Sequence, residues 1–316
     1  MPLRRTTFLT LLVLTTYVSF AQINLYVSPN GNDKNAGTLQ KPLKTIAKAL
    51  SLAKQSGEKS VKIQLKQGVY YQYNTLLLKA AESLFSSLEI TAYQNEKVTI
   101  SGGTRLSLQW KPFQNGVYQA VVPNDLSFEQ LFINGQLQHL ARYPNYDANA
   151  RVFHGTAADA IAPERVKTWK NPTGGYVHAL HSGEWGGFHY LIAGKDEKGE
   201  LKLEGGWQNN RPAPMHKQHR FVENIMEELD TPGEWYFNKT ARTLYFFPPQ
   251  NINLSTALVE IATLKNVIEL HGTSEKPMRN VHLKNLHFVH TERSFMDTKE
   301  PLVRSDWTFY RGGAVL

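Results

Sequence analysis

The nine residues "NVHLKNLHF", from Asn280 to Phe288, hold two short apolar and polar alternations, "VHL" and "LHF", on either side of Lys284 and Asn285. Alternation at a period of two marks a half-buried strand, and three residues make a very short one. Asn tolerates the left-handed backbone that a sharp corner needs. Two three-residue strands meeting at such a corner are what one coil of a parallel β-helix looks like, with short strands turning at bends around a triangular core.

The same texture extends in both directions. Short strands are predicted at "VKIQL" from Val61, "TLLLK" from Thr75, "SLEITAY" from Ser87 and "VTISGG" from Val98, and again at "LVEIA" from Leu258 and "NVIELHG" from Asn266. Gly, Asn or charged turns separate them. Ahead of them, "LYVSPNGNDKNAGTLQKPLKTIAKAL" reads as a strand, a loop and a helix, with Ile46, Ala49, Leu50 and Ala53 on one apolar face and Gly57 as the stop. That helix is expected to cover the open end of the first coil.

Between Leu108 and Thr256 the texture changes, and five of the six tryptophans fall here. "EWYFNKTARTLYFF" from Glu234 predicts a hairpin with Asn238 to Arg242 as its loop, and "LFINGQLQHLARYP" predicts a turn at Asn134 and Gly135. "GVYQAVV" from Gly116 and "GYVHALH" from Gly175 also read as strands. The fold class expected is all-β: a parallel β-helix with an N-terminal capping helix and an inserted antiparallel β-domain, a separate tandem domain being the alternative. The expected bounds are 1–21 for a signal peptide, 22–107 for the cap and first coils, 108–256 for the insertion and 257–316 for resumed coils.

The first segment pairs Arg4 and Arg5 with the apolar run "FLTLLVLTTYVSF" and a Ser19, Phe20, Ala21 cleavage site, the layout of a secretory signal peptide; a retained anchor is the alternative. A secreted or periplasmic protein follows, with no membrane span after signal removal. There is no cysteine, which excludes disulfides and thiolate chemistry, so a hydrophobic core must hold the mature chain. Without Arg4 and Arg5 the 35 basic residues become 33, and against 27 acidic ones the net charge is +6. The basic residues are scattered, not blocked as in nucleic-acid binders; they suit an acidic polysaccharide partner or a solvated surface.

The chemistry concentrates in "HSGEWGGFHYLIAG", His181 to Gly194. Glu184 is a candidate acid because Trp185 beside it could desolvate its carboxyl. Glu227, Glu228 and Asp230 are further carboxylates, or else turn residues paired with Arg220 or Arg242. His178, His181, His189, His216 and His219 raise a metal site, but His178 and His181 are three apart and alternation sends them to opposite faces, so no metal is expected. Sugars favour aromatic platforms with planar hydrogen-bonding groups nearby. Trp185 with His189, and Trp207 with Asn210 and Arg211, supply both; Arg211 could grip a uronate carboxylate. The competing reading makes both tryptophans core residues and Arg142 a buried loop tie.

"YVSPNGNDKNAGTLQKPLKTIAKAL" resembles the N-terminal cap of bacterial right-handed parallel β-helix enzymes of the pectate-lyase-like superfamily. "LFINGQLQHLARYPN", "HSGEWGGFHY", the block from "LEGGWQNNRPAPMHKQHRFVENIMEELD" to "LYFFPP", and "RGGAVL" are similar to the branch around glycoside hydrolase family 141. That resemblance implies a glycoside hydrolase of α-L-fucosidase or xylanase type, acting on plant or other acidic polysaccharide without a cofactor. It also implies further coils after "RGGAVL" that carry the catalytic carboxylates, so the chain is expected to be an N-terminal piece whose catalytic residues are unknown. Two alternatives stand beside it: a polysaccharide lyase, the one reading that would call for Ca²⁺, and a non-catalytic glycan-binding or structural module.

Overall fold

The computed structural model describes residues 22–82, 85–123, 126–207, 213–294, 296–297 and 313–316; the expected signal peptide lies outside the described residues. The fold is mostly β, with 22 strands and two short α-helices among the described residues. The chain divides into two compact units.

The first unit takes the described residues up to Gln67, with Ala80–Lys97 and Thr273–Asn285. Its sheet is wholly parallel, in the order Gln22–Val27, Ser60–Leu65, Ser87–Ala92, Val281–Lys284. Alternation works as the sequence implies: Val61, Ile63 and Leu65 are fully buried while Ser60, Lys62 and Gln64 are not. The helix is Ile46–Ser56, and Ile46, Ala49, Leu50 and Ala53 are its buried face. Thr45 caps its start, Oγ1 accepting the Lys48 N–H at 3.1 Å, and Gly57 ends it at φ +71°.

The second unit holds the rest. Its second and third parallel sheets are Gly68–Tyr71, Val98–Ser101 and Leu286–Val289, and Leu76–Lys79 with Ile268–His271. Taken along the chain from Ser60, the strands visit the three parallel sheets in one cyclic order: first, second, third, first, second, third, first, second. Asn285, between Val281–Lys284 and Leu286–Val289, has φ +56°, the left-handed conformation its sequence position implied.

Between Val98–Ser101 and Ile268–His271 the chain builds two other sheets. One has eight strands, in the order Gly103–Leu106, Val259–Ala262, Leu131–Ile133, Gln136–Leu140, Glu234–Asn238, Thr243–Phe246, Tyr118–Val121, Lys111–Pro112. All neighbours are antiparallel except Gln136–Leu140 with Glu234–Asn238. The hairpin at Asn238 and the turn at Asn134 (φ +51°) and Gly135 (φ +77°) both form. Leu131, Ile133, Trp235, Phe237, Leu244 and Phe246 make its core. One strand corrects the expectation: "LVEIA" does not resume a coil, because Val259–Ala262 is antiparallel to both neighbours, and the parallel sheets resume at Ile268.

The other sheet has five strands, all antiparallel: Arg142–Tyr143, Met215–Glu223, Tyr176–His181, Gly187–Lys195, Leu201–Gly205. Val177, Ile192, Val222 and Ile225 pack with Trp169 and Val166 of the helix Pro163–Thr168. The remaining chemistry sits on this sheet.

Candidate functional site

The turn between Tyr176–His181 and Gly187–Lys195 carries Glu184 and Trp185. Glu184 is left-handed (φ +59°) and its N–H donates to the His181 carbonyl at 2.7 Å; the Trp185 indole is 52% exposed. Next to it the strand Met215–Glu223 bulges. Ala179 pairs with Arg220 and His181 with Met215, so one residue on one strand faces the four residues 216–219 on the other. Bulges re-aim side chains. Here the bulge stacks the His216 and His219 rings 4.4 Å apart, with each Nε2 at 3.8 Å from Glu184 Oε1.

Three ligand atoms converge in that trio, within 4.8 Å of one another. The hydrogen bonds decide what they suit. Nδ1 of His216 accepts the backbone N–H of Gln218 at 3.1 Å and of His219 at 2.9 Å, so the neutral ring carries its proton on Nε2. A metal-bound histidine needs the opposite arrangement, its second nitrogen donating outward. The trio therefore fits a cation poorly. Gaps of 3.8 Å are too long for direct hydrogen bonds and suit a hydroxyl or water that bridges donor to carboxylate.

His189 has a histidine neighbour of its own. It stands opposite His178 in the sheet, and the two rings meet Nδ1 to Nδ1 at 2.7 Å. Burial, then the neighbouring His178, pushes the His189 imidazole down to about 3, so it stays neutral across the physiological range. His178 Nε2 lies 3.2 Å from Glu223 Oε1, which also accepts Arg293 Nη1 at 2.7 Å. Arg293 Nε reaches Glu129 Oε2 at 3.1 Å, and the Tyr176 hydroxyl donates to Glu129 Oε1. Burial alone would raise the Glu223 carboxyl; the charge of Arg293, then that of His178, holds it well below the usual range. Burial and the Glu129 bond raise Tyr176, which remains a donor.

This chain of groups ends in a cavity of about 200 Å³ lined by Glu129, Tyr176, Lys265, Glu292, Arg293 and Asp297, among others. Lys265 is taken by Asp297 at 2.9 Å. The Glu292 side chain has no hydrogen bond or ion pair among the described residues. Burial pushes its carboxyl up; Lys265 opposes this, and Glu129 and Asp297 add to it.

Other candidates have structural partners. Glu228 is buried against Arg165 Nη1 (3.0 Å) and Trp169 Nε1 (2.6 Å), so its cation is Arg165, not Arg220 or Arg242. Arg220 instead donates to the Ala158 carbonyl. Glu227 accepts the Lys170 N–H and Asp230 the Asn145 amide. Arg142 is buried, donating Nε to Pro144 O (2.9 Å) and Nη2 to Phe153 O (3.1 Å) and Gly155 O (2.9 Å); it ties a loop. Ser101 and Glu260 both approach His290 at Nδ1, so the three form no relay. His181 Nδ1 accepts the Gly183 N–H at 2.9 Å. Trp207 is half-buried, while Asn210 and Arg211 lie outside the described residues. Glu129, Glu223, Glu292 and Arg293 were missed in the sequence; a charged residue ending a buried strand, as Glu223 does in "RFVE", was the one available signal.

Residues 29–75 match the model of a protein family of unknown function, DUF1565. The uncharacterized protein YwoF of Bacillus subtilis (strain 168) is 37% identical over 78 residues, which are 25% of this chain and 15% of that one. A solved glycoside hydrolase superposes with a TM-score of 0.70 at 24% identity, over 86% of this chain and 51% of that one. The two share a fold. This chain thus spans about half the length of that hydrolase. A structure of XylC with xylose superposes with a TM-score of 0.41 at 16% identity, over 85% of this chain and 35% of that one.

Proposed function

We propose that the protein is an exported, carbohydrate-active protein of glycoside hydrolase type, related to the family 141 branch and acting on plant or other acidic polysaccharide. Its parallel sheets are read as the first coils of a right-handed parallel β-helix. The cyclic order of the strands and left-handed Asn285 support this, and the chain between Ser101 and Ile268 is then a β-domain inserted within one coil. Fold alone does not carry chemistry.

The observation that carries the function is the exposed Trp185 indole beside Glu184, His216 and His219. An indole offers its face to sugar C–H groups, and the trio offers the His216 Nε2–H as a donor and a carboxylate acceptor at spacings suited to hydroxyls. The cavity at Glu292 belongs to the same sheet, since Tyr176 lines it and Tyr176–His181 leads to the Trp185 turn. Five residue steps of strand make about 17 Å, a span for a polymer more than for a single sugar.

The test is intrinsic fluorescence titration with a panel of neutral and acidic oligosaccharides, alongside assay of new reducing ends. Trp185→Ala is expected to weaken binding at least tenfold with an unchanged melting temperature. Binding undiminished in Trp185→Ala, or no binding by the wild type to any glycan, overturns the assignment; binding without new reducing ends favours a non-catalytic module.

A further inference from the structure

The eight-stranded sheet has a groove of its own, about 620 Å³ in volume, lined by Trp110, Tyr118 and the loop 248–255. In a chain of which 20% is charged, none of its lining residues among those described carries a charge. The walls are preformed. Trp110, Ile252 and Leu254 pack against the core of the sheet, with the Trp110 ring 6.1 Å from that of Phe246. The loop is bonded to itself, the Ile252 N–H donating to the Pro249 carbonyl and the Ala257 N–H to that of Asn253, both at 3.0 Å.

The polar groups in the groove are only partly used. Asn253 Oδ1 accepts the Ser255 N–H at 3.0 Å and the Ser255 hydroxyl at 2.8 Å, which leaves Asn253 Nδ2 to donate and Ser255 Oγ to accept. The Trp110 indole N–H, the Tyr118 hydroxyl and the Gln109 amide have no hydrogen-bond partner among the described residues.

We propose that this groove is a second glycan site, which holds an uncharged sugar chain without cleaving it. The choice of a sugar rests on the carbohydrate assignment above, whereas the neutrality rests on the lining alone. A uronate, sulfate or phosphate would lose water there and meet no counter-charge. Each sugar hydroxyl both donates and accepts, as the lining does, and the Trp110 and Tyr118 rings suit the C–H faces. A proline-rich peptide also favours aromatic grooves, but its prolines bring no N–H to the acceptors of Gln109, Tyr118 and Ser255. The Trp185 turn belongs to the five-stranded sheet, so the two sites share no residue.

The experiment is isothermal titration calorimetry on the full chain with neutral hexasaccharides (cellohexaose, xylohexaose, mannohexaose), with oligogalacturonate and with a proline-rich peptide. Trp110→Ala is expected to weaken one neutral-glycan site by about tenfold or more and to leave the oligogalacturonate titration unchanged. Tyr118→Phe keeps the ring and the packing and should weaken the same site by about three- to tenfold. Trp185→Ala should leave that site intact, and its affinity should not change between about 0.02 and 0.5 M sodium chloride, since no charge takes part. Neutral binding at wild-type strength in Trp110→Ala or in Tyr118→Phe, an equal loss of neutral and acidic glycans, or tighter binding of the peptide overturns the proposal. Glycan binding that depends on Trp185 alone refutes the groove and leaves the assignment above standing. Binding that depends on Trp110 alone supports the groove and refutes the Trp185 site, and a wild type that binds no glycan refutes both.

Discussion

Replacing Glu234 by Gln should make the protein's stability much less sensitive to alkali. Glu234 opens its strand at 2% exposure, and its carboxyl receives three long N–H contacts, from Arg142 at 3.4 Å and from Asp230 and Thr231 at 3.3 Å each. The Arg142 guanidinium is spent on three loop carbonyls and does not bond to it. Burial therefore wins, aided by the charge of Asp230, and pushes the carboxyl from its ordinary 4.5 up to about 8. A carboxyl raised on folding contributes stability fully below its unfolded value, and that stability is lost as pH climbs through the folded value. For these two values the loss between pH 5 and pH 9 is about 4 kcal/mol, at 1.36 kcal/mol per unit. Glu234→Gln removes the titration and keeps a neutral group of the same shape. Guanidinium unfolding of both proteins at pH 5, 7 and 9, followed by tryptophan fluorescence, is the assay. The stability of the variant relative to wild type should rise by about 4 kcal/mol across that range, since other titrations cancel in the difference. A difference constant to within about 1 kcal/mol would refute the burial argument.

Arg293→Met should cost about 3–5 kcal/mol by stranding the buried Glu223 carboxylate, and adding Glu223→Gln should recover much of that loss in thermal denaturation. A single variant costing under about 1 kcal/mol would mean that Glu223 finds another counter-charge. Asn285→Ala should cost about 1–2 kcal/mol for the left-handed backbone, plus the bond from its amide to Asn95 Oδ1, while Asn285→Gly recovers the backbone part. Equal destabilisation by Ala and Gly would place the whole effect in the side chain.

What was legible in the sequence is what a few neighbouring residues decide. Gly57 ends its helix, Asn134 with Gly135 closes its hairpin and Asn285 adopts the corner conformation, because each answers a local backbone demand that few residue types meet. "LVEIA" shows where such reading stops. Its composition is that of any buried strand, and only partners at Gly103–Leu106 and Leu131–Ile133, more than 120 residues earlier, make it antiparallel. Parity reasoning, which sends residues three apart to opposite faces, fails at His216 and His219 for a related reason: the bulge that unites them is a mismatch between two strands and is written in neither alone.

The buried network was hidden more deeply still. Glu129 lies 164 residues from the Arg293 that fixes it, and Glu223 lies 70. Each is an ordinary charged residue in its own neighbourhood. Their placement has a physical logic all the same. Arg293 comes shortly after Leu286–Val289, a strand of the parallel sheets, whereas Glu129, Tyr176 and Glu223 belong to the chain that leaves those sheets at Ser101 and returns at Ile268. The ion pairs therefore join the excursion to the chain that follows it, and the cavity forms where the two meet within the second unit.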